Sequence, residues 1–343
     1  MSVKRWLLYT GLTITFFLGS VFLVNYIVDP LWMYSYDNRF NSMQHSMDDR
    51  QLKTNKFYFR SEPNIDTLLI GSSRTSYISE LDFKDKKVFN FAEDNMCPFE
   101  MLDTIKAAKE IHGKDFETIV IGFDFFGVSK GKWVQEQKSE RPSGLVYINK
   151  AKNNLYRLKS TLSFSTLKYS LINIKTSIRK DKNIVYDRNN IKSYFPYSEK
   201  NYKKTNKNVY DNFKMKRFGT FVYDENITQV FQSIIDNNPN SKFIVFTTPV
   251  YKDIYNLQNE LGLKNEYKHW LKDLVKVFGE VYDFTGINSV NVNEINYRDP
   301  QHFDPAVGKL IISRIMHYKN TSVPSDFGIV LTKDNIDTYL SDL

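Results

Sequence analysis

A long run without a charged side chain, from Trp6 to Val28, constrains this chain more than any other feature. As a helix its 23 residues would rise far enough to cross a hydrocarbon core of about 30 Å. Two basic residues precede the run, and basic residues tend to stay on the cytoplasmic side. The sequence therefore predicts a cytoplasmic N-terminus at residues 1–5, a transmembrane helix at residues 6–28, and the remaining chain outside the cytoplasm.

A cleaved signal peptide is the alternative to an anchor of this kind. The apolar run is longer than the core of a usual signal peptide, and no A-x-A-like cleavage site follows it. We therefore predict an uncleaved, single-pass protein of the cell membrane. Cys97 is the single cysteine, so an intrachain disulfide is excluded.

Strand-like and helix-like patterns alternate after a predicted juxtamembrane linker at residues 29–59. Between residues 60 and 318 the apolar strand candidates are residues 65–70, 87–90, 118–122, 242–247 and 281–284. Helical patterns separate most of them, and this alternation is typical of an α/β protein. We predict a three-layer α/β/α sandwich with a parallel sheet. The extension at residues 319–343 adds a candidate edge strand at 327–331 and a candidate helix at 335–340.

A basic insertion is predicted within this domain at about residues 128–217. Residues 150–217 hold 18 Lys and Arg against 4 Asp and Glu, a net charge of +14 in a chain whose total is +8. A basic stretch with interleaved aromatic residues is compatible with nucleic acid, but outside the cytoplasm we expect anionic lipid head groups or an anionic surface polymer as the partner instead. A solvated lysine-rich surface without a partner is the alternative. The apolar positions in the segment predict one or two helices packed on the main domain.

Two short motifs carry the candidate chemistry. A Gly-Ser-Ser turn that ends in Ser73 follows the first strand, and an Asp-x-x-His motif joins Asp299 to His302 before the last long helix. Ligand sites of parallel sheets lie at the carboxyl ends of the strands, so we expect these residues to share one cleft with Asn90 and Asp124. Serine becomes a nucleophile when a base accepts its proton, and histidine oriented by aspartate is such a base. The predicted triad is Ser73, His302 and Asp299.

These motifs resemble those of the SGNH (GDSL-like) hydrolases, and most closely a membrane-anchored branch that modifies bacterial polysaccharides. That branch includes alginate-type O-acetyltransferases and the D-alanyl transfer protein of teichoic acids. The resemblance covers about residues 60–127 and 219–318, and it implies a flavodoxin-like sheet with Ser73 as the nucleophile. It also implies an oxyanion hole built from the backbone N–H groups of Ser73 and Ala92.

The third motif departs from the family pattern. Where the family has Gly-x-Asn-Asp, with the asparagine in the oxyanion hole, this chain has Asp124 two residues after Gly122. An ionised Asp124 beside a developing oxyanion opposes catalysis, so we predict that it pairs with Arg74 or hydrogen-bonds the Ser73 turn. Asp124 stays a third candidate for the oxyanion hole, and Arg74 and Asn90 are candidates for substrate binding. A degenerate site in a non-catalytic relative is the other interpretation.

The resemblance implies acyl transfer, most simply of acetyl, to a cell-surface polysaccharide through an ester on Ser73. It also implies a membrane-embedded protein as the acyl donor. The sequence contains no metal-ligand constellation, Walker loop or dinucleotide motif, so neither a metal nor a cofactor is expected. Two other functions stay open: a non-catalytic scaffold or polymer-binding protein of a cell-envelope assembly system, and a simple carbohydrate esterase.

Overall fold

The computed structural model describes residues 2–45, 48–60, 64–180, 184–194, 198–319 and 321–343. Its contacts divide the chain into unit 1, which comprises Met1–Ser61 and Val146–Phe195, and unit 2, which comprises Glu62–Leu145 and Pro196–Leu343. This division differs from the sequence interpretation. The stretch predicted as a linker at residues 29–59 belongs to unit 1, and so do residues 146–195 of the predicted insertion.

The helices and strands follow one another along the chain in the order α1 (Val3–Val28), α2 (Asp49–Arg60), β1 (Thr67–Gly71), β2 (Val88–Asn90), α3 (Pro98–His112), β3 (Thr118–Phe123), α4 (Lys132–Glu140), α5 (Gly144–Lys152), α6 (Tyr156–Thr161), α7 (Phe164–Arg179), β4 (Ile184–Tyr186), β5 (Lys192–Tyr194), α8 (Glu199–Asn212), α9 (Ile227–Asp236), β6 (Lys242–Thr247), α10 (Lys252–Glu260), α11 (Lys264–Phe278), β7 (Glu280–Asp283), β8 (Tyr297–Asp299), β9 (His302–Phe303), α12 (Pro305–Ile315), β10 (Ile329–Thr332) and α13 (Ile336–Asp342).

Unit 2 is built on a six-stranded sheet in the order β10-β7-β6-β3-β1-β2. Five of these strands run parallel to one another: β2, β1, β3, β6 and β7. The sixth, β10, pairs antiparallel with β7 at the edge. Helices cover both sides of the sheet, and β1 and β3 are buried along their whole length, as parallel strands generally are. The predicted α/β class and parallel sheet are confirmed. The predicted edge strand and final helix also form, as β10 and α13.

The strand order reverses between β1 and β3. After β1 the chain first adds β2 on one side, and then adds β3, β6 and β7 in turn on the other side. Such a reversal opens a crevice at the carboxyl ends of the two strands. Gly71 and Gly122 face each other in register at those ends. A Cβ atom on either glycine would collide with the side chain of Thr75. Glycine at both positions therefore allows the turn that carries Ser73 to lie close against the sheet.

In unit 1, α1 is long and apolar enough to cross a membrane, with a mean hydropathy of 2.0 and only 6% of its most apolar window buried. Asp29 ends the helix in the left-handed region, at φ 45°. Its buried carboxylate accepts hydrogen bonds from Arg188 (2.6 Å) and from the N–H groups of Met33 and Tyr34. Burial raises the pKa of Asp29 even though Arg188 and these N–H groups oppose the change. This cluster fixes the end of α1.

The helices expected in the basic segment form, and α6 and α7 pack against α1 within unit 1. Asn25, the amide residue in the uncharged run of α1, is the main link. Its Nδ2 donates to the carbonyl oxygens of Thr161 (2.8 Å) and Ser163 (3.0 Å), and Ser170 Oγ donates to its Oδ1. A buried amide needs such partners, which explains the placement of these helices.

Candidate active site

Ser73 and His302 meet in unit 2 although 229 residues separate them along the chain. Ser73 Oγ lies 2.9 Å from His302 Nε2. His302 Nδ1 lies 3.0 Å from each carboxylate oxygen of Asp299. A neutral imidazole with its proton on Nδ1 can donate to Asp299 and accept the serine proton at Nε2. The structure thus brings the three predicted residues into one continuous chain of hydrogen bonds.

The carboxylate of Asp299 is buried at the start of the turn between β8 and β9. Its Oδ1 accepts the N–H groups of Gln301 (3.1 Å) and His302 (3.2 Å), and Arg298 Nη1 lies 3.5 Å from Oδ2. Burial alone would raise the pKa of Asp299. The charge and hydrogen bond of His302, the charge of Arg298 and the Gln301 N–H outweigh burial, so the pKa lies below its ordinary value. Asp299 is therefore ionised at neutral pH and can orient the imidazole.

Tyr77 and Arg298 support this arrangement, and sequence reasoning missed both. The rings of Tyr77 and His302 are 5.6 Å apart, and the Tyr77 hydroxyl accepts a hydrogen bond of 2.9 Å from Arg298. Both side chains are buried. They connect the turn after β1 with the hairpin that carries His302. Their only sequence signal is proximity, because each lies within a few residues of a triad member.

Asp124 pairs with Arg74, as one of the two alternatives for this residue predicts. Arg74 Nη1 lies 2.6 Å from Asp124 Oδ1, and the side chains are 5% and 2% exposed. Arg74 also donates from Nη1 to Thr248 Oγ1 (3.3 Å) and from Nε to the carbonyl oxygen of Gln301 (2.9 Å). Within the described residues its buried Nη2 has no hydrogen-bond partner. Arg74 therefore neutralises Asp124 and braces the residue before His302, and only Nη2 is left for a ligand.

Asn90 and Ala92 are placed differently from what the sequence suggested. Asn90 is buried; its Nδ2 donates to the carbonyl oxygens of Thr75 (3.2 Å) and Ile78 (2.9 Å), and its Oδ1 accepts the Ala92 N–H (2.9 Å). Asn90 thus holds the turn after Ser73 instead of facing a substrate. The Ala92 N–H, expected in the oxyanion hole, is already engaged, because a buried donor takes the nearest acceptor.

The N–H of Ser73 has no acceptor in the part of the chain that the structure describes. The adjoining turn is nonetheless well ordered: Ser76 Oγ donates to the Ser73 carbonyl oxygen (2.6 Å), and the Ser76 N–H donates to that of Ser72. The predicted backbone donor at Ser73 is therefore oriented and available beside the nucleophile.

Arg217 is a further candidate that sequence reasoning did not single out. It ends a single π-helical turn, Phe213–Arg217, that continues α8, and such turns are frequent at functional sites. Its guanidinium lies within 4.9 Å of the ring centroids of Phe126, Trp133 and Phe213. Burial and then the nearby charge of Arg74 lower the pKa of Arg217.

The two ends of this guanidinium hold two amide side chains. Arg217 Nη1 donates to Gln301 Oε1 (2.9 Å), and Nη2 donates to Asn95 Oδ1 (2.7 Å). Because both amide oxygens face Arg217, both NH₂ groups are turned away from it. Neither NH₂ group has a protein acceptor among the described residues. Gln301 adjoins His302 in the chain, so these amides supply free donors at the margin of the site.

No protein-family model matches this chain, and no curated protein is significantly similar to it.

Proposed function

We propose that unit 2 is a serine acyl-ester enzyme of the SGNH type that transfers an acyl group through an ester on Ser73. The hydrogen-bond chain from Ser73 Oγ through His302 to Asp299 carries this proposal. Its distances are those that a nucleophile, a general base and an orienting carboxylate require. The position of the site at the reversal between β1 and β3 also agrees with where α/β folds bind ligands.

The reaction proceeds in two steps. Ser73 Oγ attacks the carbonyl carbon of the acyl donor, and His302 Nε2 accepts the hydroxyl proton. Asp299 stabilises the imidazolium, which then gives the proton to the leaving oxygen and leaves the acyl ester on Ser73. An acceptor hydroxyl attacks this ester while His302 takes its proton, and the same proton returns to Ser73 Oγ as the product leaves. Water in the place of the acceptor gives hydrolysis.

We infer that the Ser73 N–H is one oxyanion donor and that the second is one of the two NH₂ groups that Arg217 orients. Asn95 is the first candidate, because the Ala92 N–H is engaged and this chain has Asp124 where the family has an asparagine. Substituting Asn95 with aspartate tests this assignment, because the oxygen that Arg217 holds is kept and the NH₂ group is lost. Removing one oxyanion donor lowers kcat by about 10²–10³-fold. Gln301→Glu is the matched variant, and a kcat loss confined to it would assign the donor to Gln301 instead.

The acceptor we propose is a cell-surface polysaccharide or a teichoic-acid-like polymer, and the donor is an acyl group delivered by a membrane-embedded partner protein. An α1 that remains uncleaved, with residues 1–5 in the cytoplasm, would keep unit 2 on the outer side of the cell membrane. The motif resemblance and the apolar surface of α1 support this part of the proposal.

A fluorophosphonate probe tests the central claim. The full chain in detergent is treated with the probe, and mass spectrometry locates the adduct. We expect one adduct, on Ser73, that His302→Ala abolishes and that His317→Ala, a substitution of an exposed histidine, leaves intact. A folded wild-type protein without an adduct would refute an activated nucleophile. Turnover of simple acetyl esters without any membrane partner would identify an esterase instead of a transferase.

The second candidate is a non-catalytic scaffold that binds an anionic polymer. The engaged Ala92 N–H and the acidic Asp124 favour it, because both remove donors that the family pattern supplies. In a cell-based assay of envelope modification, a scaffold would tolerate Ser73→Ala and lose function when lysines of α8 are changed to glutamate. The enzyme would show the reverse.

A further inference from the structure

The helix α7 buries a row of small polar side chains and exposes three large apolar ones. The buried residues are Thr166, Ser170, Asn173, Thr176 and Ser177. The exposed ones include Phe164, Leu171 (56%) and Ile178 (62%). A helix that lies between a protein and water has the opposite arrangement.

The exposed apolar side chains of α7 form a stripe. They recur every seven residues, which is close to two helical turns and keeps them on one side. The short helix before it, α6, adds exposed Leu158, and Leu155 precedes α6. Contiguous apolar surface of this kind marks a contact with a membrane or with another protein.

This stripe is continuous with the apolar surface of α1. The rings of Phe17 and Phe164 lie 5.7 Å apart, and Phe17 is the middle residue of the uncharged run in α1. At the opposite end of α7, Ser177 Oγ is hydrogen-bonded to the backbone of Met43, beyond the end of α1. The N-cap of α7, Ser163, lies beside Asn25 near the end of α1, and the Phe164 ring reaches back to Phe17. The last turn of α7 lies beyond the end of α1.

The charges of the segment match lipid head groups. Residues 150–180 contain eight Lys and Arg and no Asp or Glu. Lys168 and Lys175 are exposed and stand four residues after Phe164 and Leu171, so they flank the stripe. Long basic side chains beside an apolar surface extend their charges towards lipid phosphates, while their methylene groups stay in the apolar layer.

We propose that α6 and α7 are seated in the outer leaflet of the membrane beside α1. The stripe contacts the lipid acyl chains, and the basic side chains contact anionic phosphate groups. α7 enters with its first turn and emerges at its last. This proposal rests on α1 crossing the membrane and is independent of the chemistry at Ser73. A partner protein covering the stripe is the competing occupant.

Depth-dependent quenching tests the proposal on the full chain in vesicles of phosphatidylcholine with a minority of phosphatidylglycerol. An environment-sensitive fluorophore is attached through Leu171→Cys or Ile178→Cys, and lipids brominated along the acyl chain are the quenchers. The native Cys97 is buried, and burial raises the pKa of its thiol to about 12, so it does not compete for the label. Leu12→Cys in α1 reports insertion of the anchor, and Ile295→Cys in unit 2 is the exposed apolar control.

We expect labels at Leu12 and Leu171 to be quenched strongly, the label at Ile178 less, and the label at Ile295 least. Quenching at Leu12 with none at Leu171 would overturn the proposal and leave the anchor intact. A label at Leu171 that is shielded in native membranes but accessible to water in lipid vesicles would assign the stripe to a protein partner. Absence of quenching at Leu12 would overturn the anchor and the proposal together.

Discussion

Replacing Asp124 with asparagine tests how the buried ion pair with Arg74 supports the candidate site. The substitution preserves the shape of the side chain and one oxygen that can accept from Arg74 and Thr248. It removes the charge, so Arg74 is left buried without a counter-ion. It also restores the amide found at this position in the family that the motifs resemble. The added amide alone would favour catalysis, but the structure predicts that the loss of the ion pair outweighs this gain.

The magnitude follows from the geometry. The N–O distance of 2.6 Å places the two charge centres about 4 Å apart, where an effective dielectric constant of about 20 gives an attraction of about 4 kcal/mol. The asparagine oxygen keeps part of the hydrogen bonding, worth about 1 kcal/mol. We therefore expect a loss of about 3 kcal/mol in the free energy of unfolding, at the lower end of the range for breaking a buried pair. Under the proposed function we expect activity to fall as well, since Arg74 holds the Gln301 carbonyl oxygen next to His302.

The assay is urea unfolding of the full chain in detergent, followed by tryptophan fluorescence, for Asp124→Asn, Arg74→Met and the double variant. Removing one charge alone leaves the other buried without a counter-ion, whereas removing both leaves no unpaired charge. The double-mutant cycle is therefore expected to give a coupling energy of about 2–3 kcal/mol. Additive losses, or a single-variant loss below about 1 kcal/mol, would show that the pair is solvated and would refute the reasoning. The Thr248→Val variant is the control for the loss of a neutral hydrogen bond.

Three further outcomes are expected. The pKa of Asp299 is lower in the folded protein than its ordinary value of 3.8, so its ionisation stabilises the fold at pH values above 3.8. This stabilisation is lost as the pH falls below that value. The difference in the free energy of unfolding between wild type and Asp299→Asn should therefore be constant near neutral pH and shrink in acid. Cys97 should resist iodoacetamide at pH values well below the pKa of about 12 that burial gives its thiol, and react only on unfolding, as mass spectrometry would show. Gly71→Ala should cost about 1–3 kcal/mol in a thermal or urea unfolding experiment, since its Cβ would lie 2.8 Å from the Gly122 carbonyl oxygen, and an unchanged midpoint would contradict the close approach.

The sheet could be predicted because its strands are local patterns. Residues 118–122 and 242–247 are short, continuous apolar runs, and the helices between them have one apolar face, so class and strand direction follow from the chain itself. The same logic placed Ser73 at the end of the first strand and His302 in the loop before the last long helix. The ion pair of Asp124 with Arg74 was also foreseeable, because a carboxylate at that point needs a cation and an arginine adjoins Ser73.

Hydrogen-bond partners of the backbone could not be predicted in the same way. Whether the Ala92 N–H is free depends on which way the Asn90 amide turns, and that depends on carbonyl groups in the turn after Ser73. Arg217 was missed for a related reason. It lies in a lysine-rich segment that looks solvated, and only the tertiary structure shows its guanidinium enclosed by aromatic rings.

The division of the chain was the larger difference. Composition suggested a linker followed by one domain with a basic insertion, because charge and hydropathy are averaged over windows of sequence. Such averages do not reveal the effect of one asparagine within the uncharged run of α1. Asn25 collects its partners from residues 161–170, and this long-range pairing assigns the segment to unit 1.

Unit 1 is assembled from two stretches of chain, with the first strands of unit 2 encoded between them. This arrangement bears on how proteolysis would separate unit 2 from α1. A cut close to residue 61 breaks the covalent path from α1 to unit 2, but residues 146–195 remain joined to unit 2 and folded against α1. Separation of the two fragments would therefore need a second event, the unfolding of unit 1, so the fragments of a nicked protein would elute together until a denaturant is added.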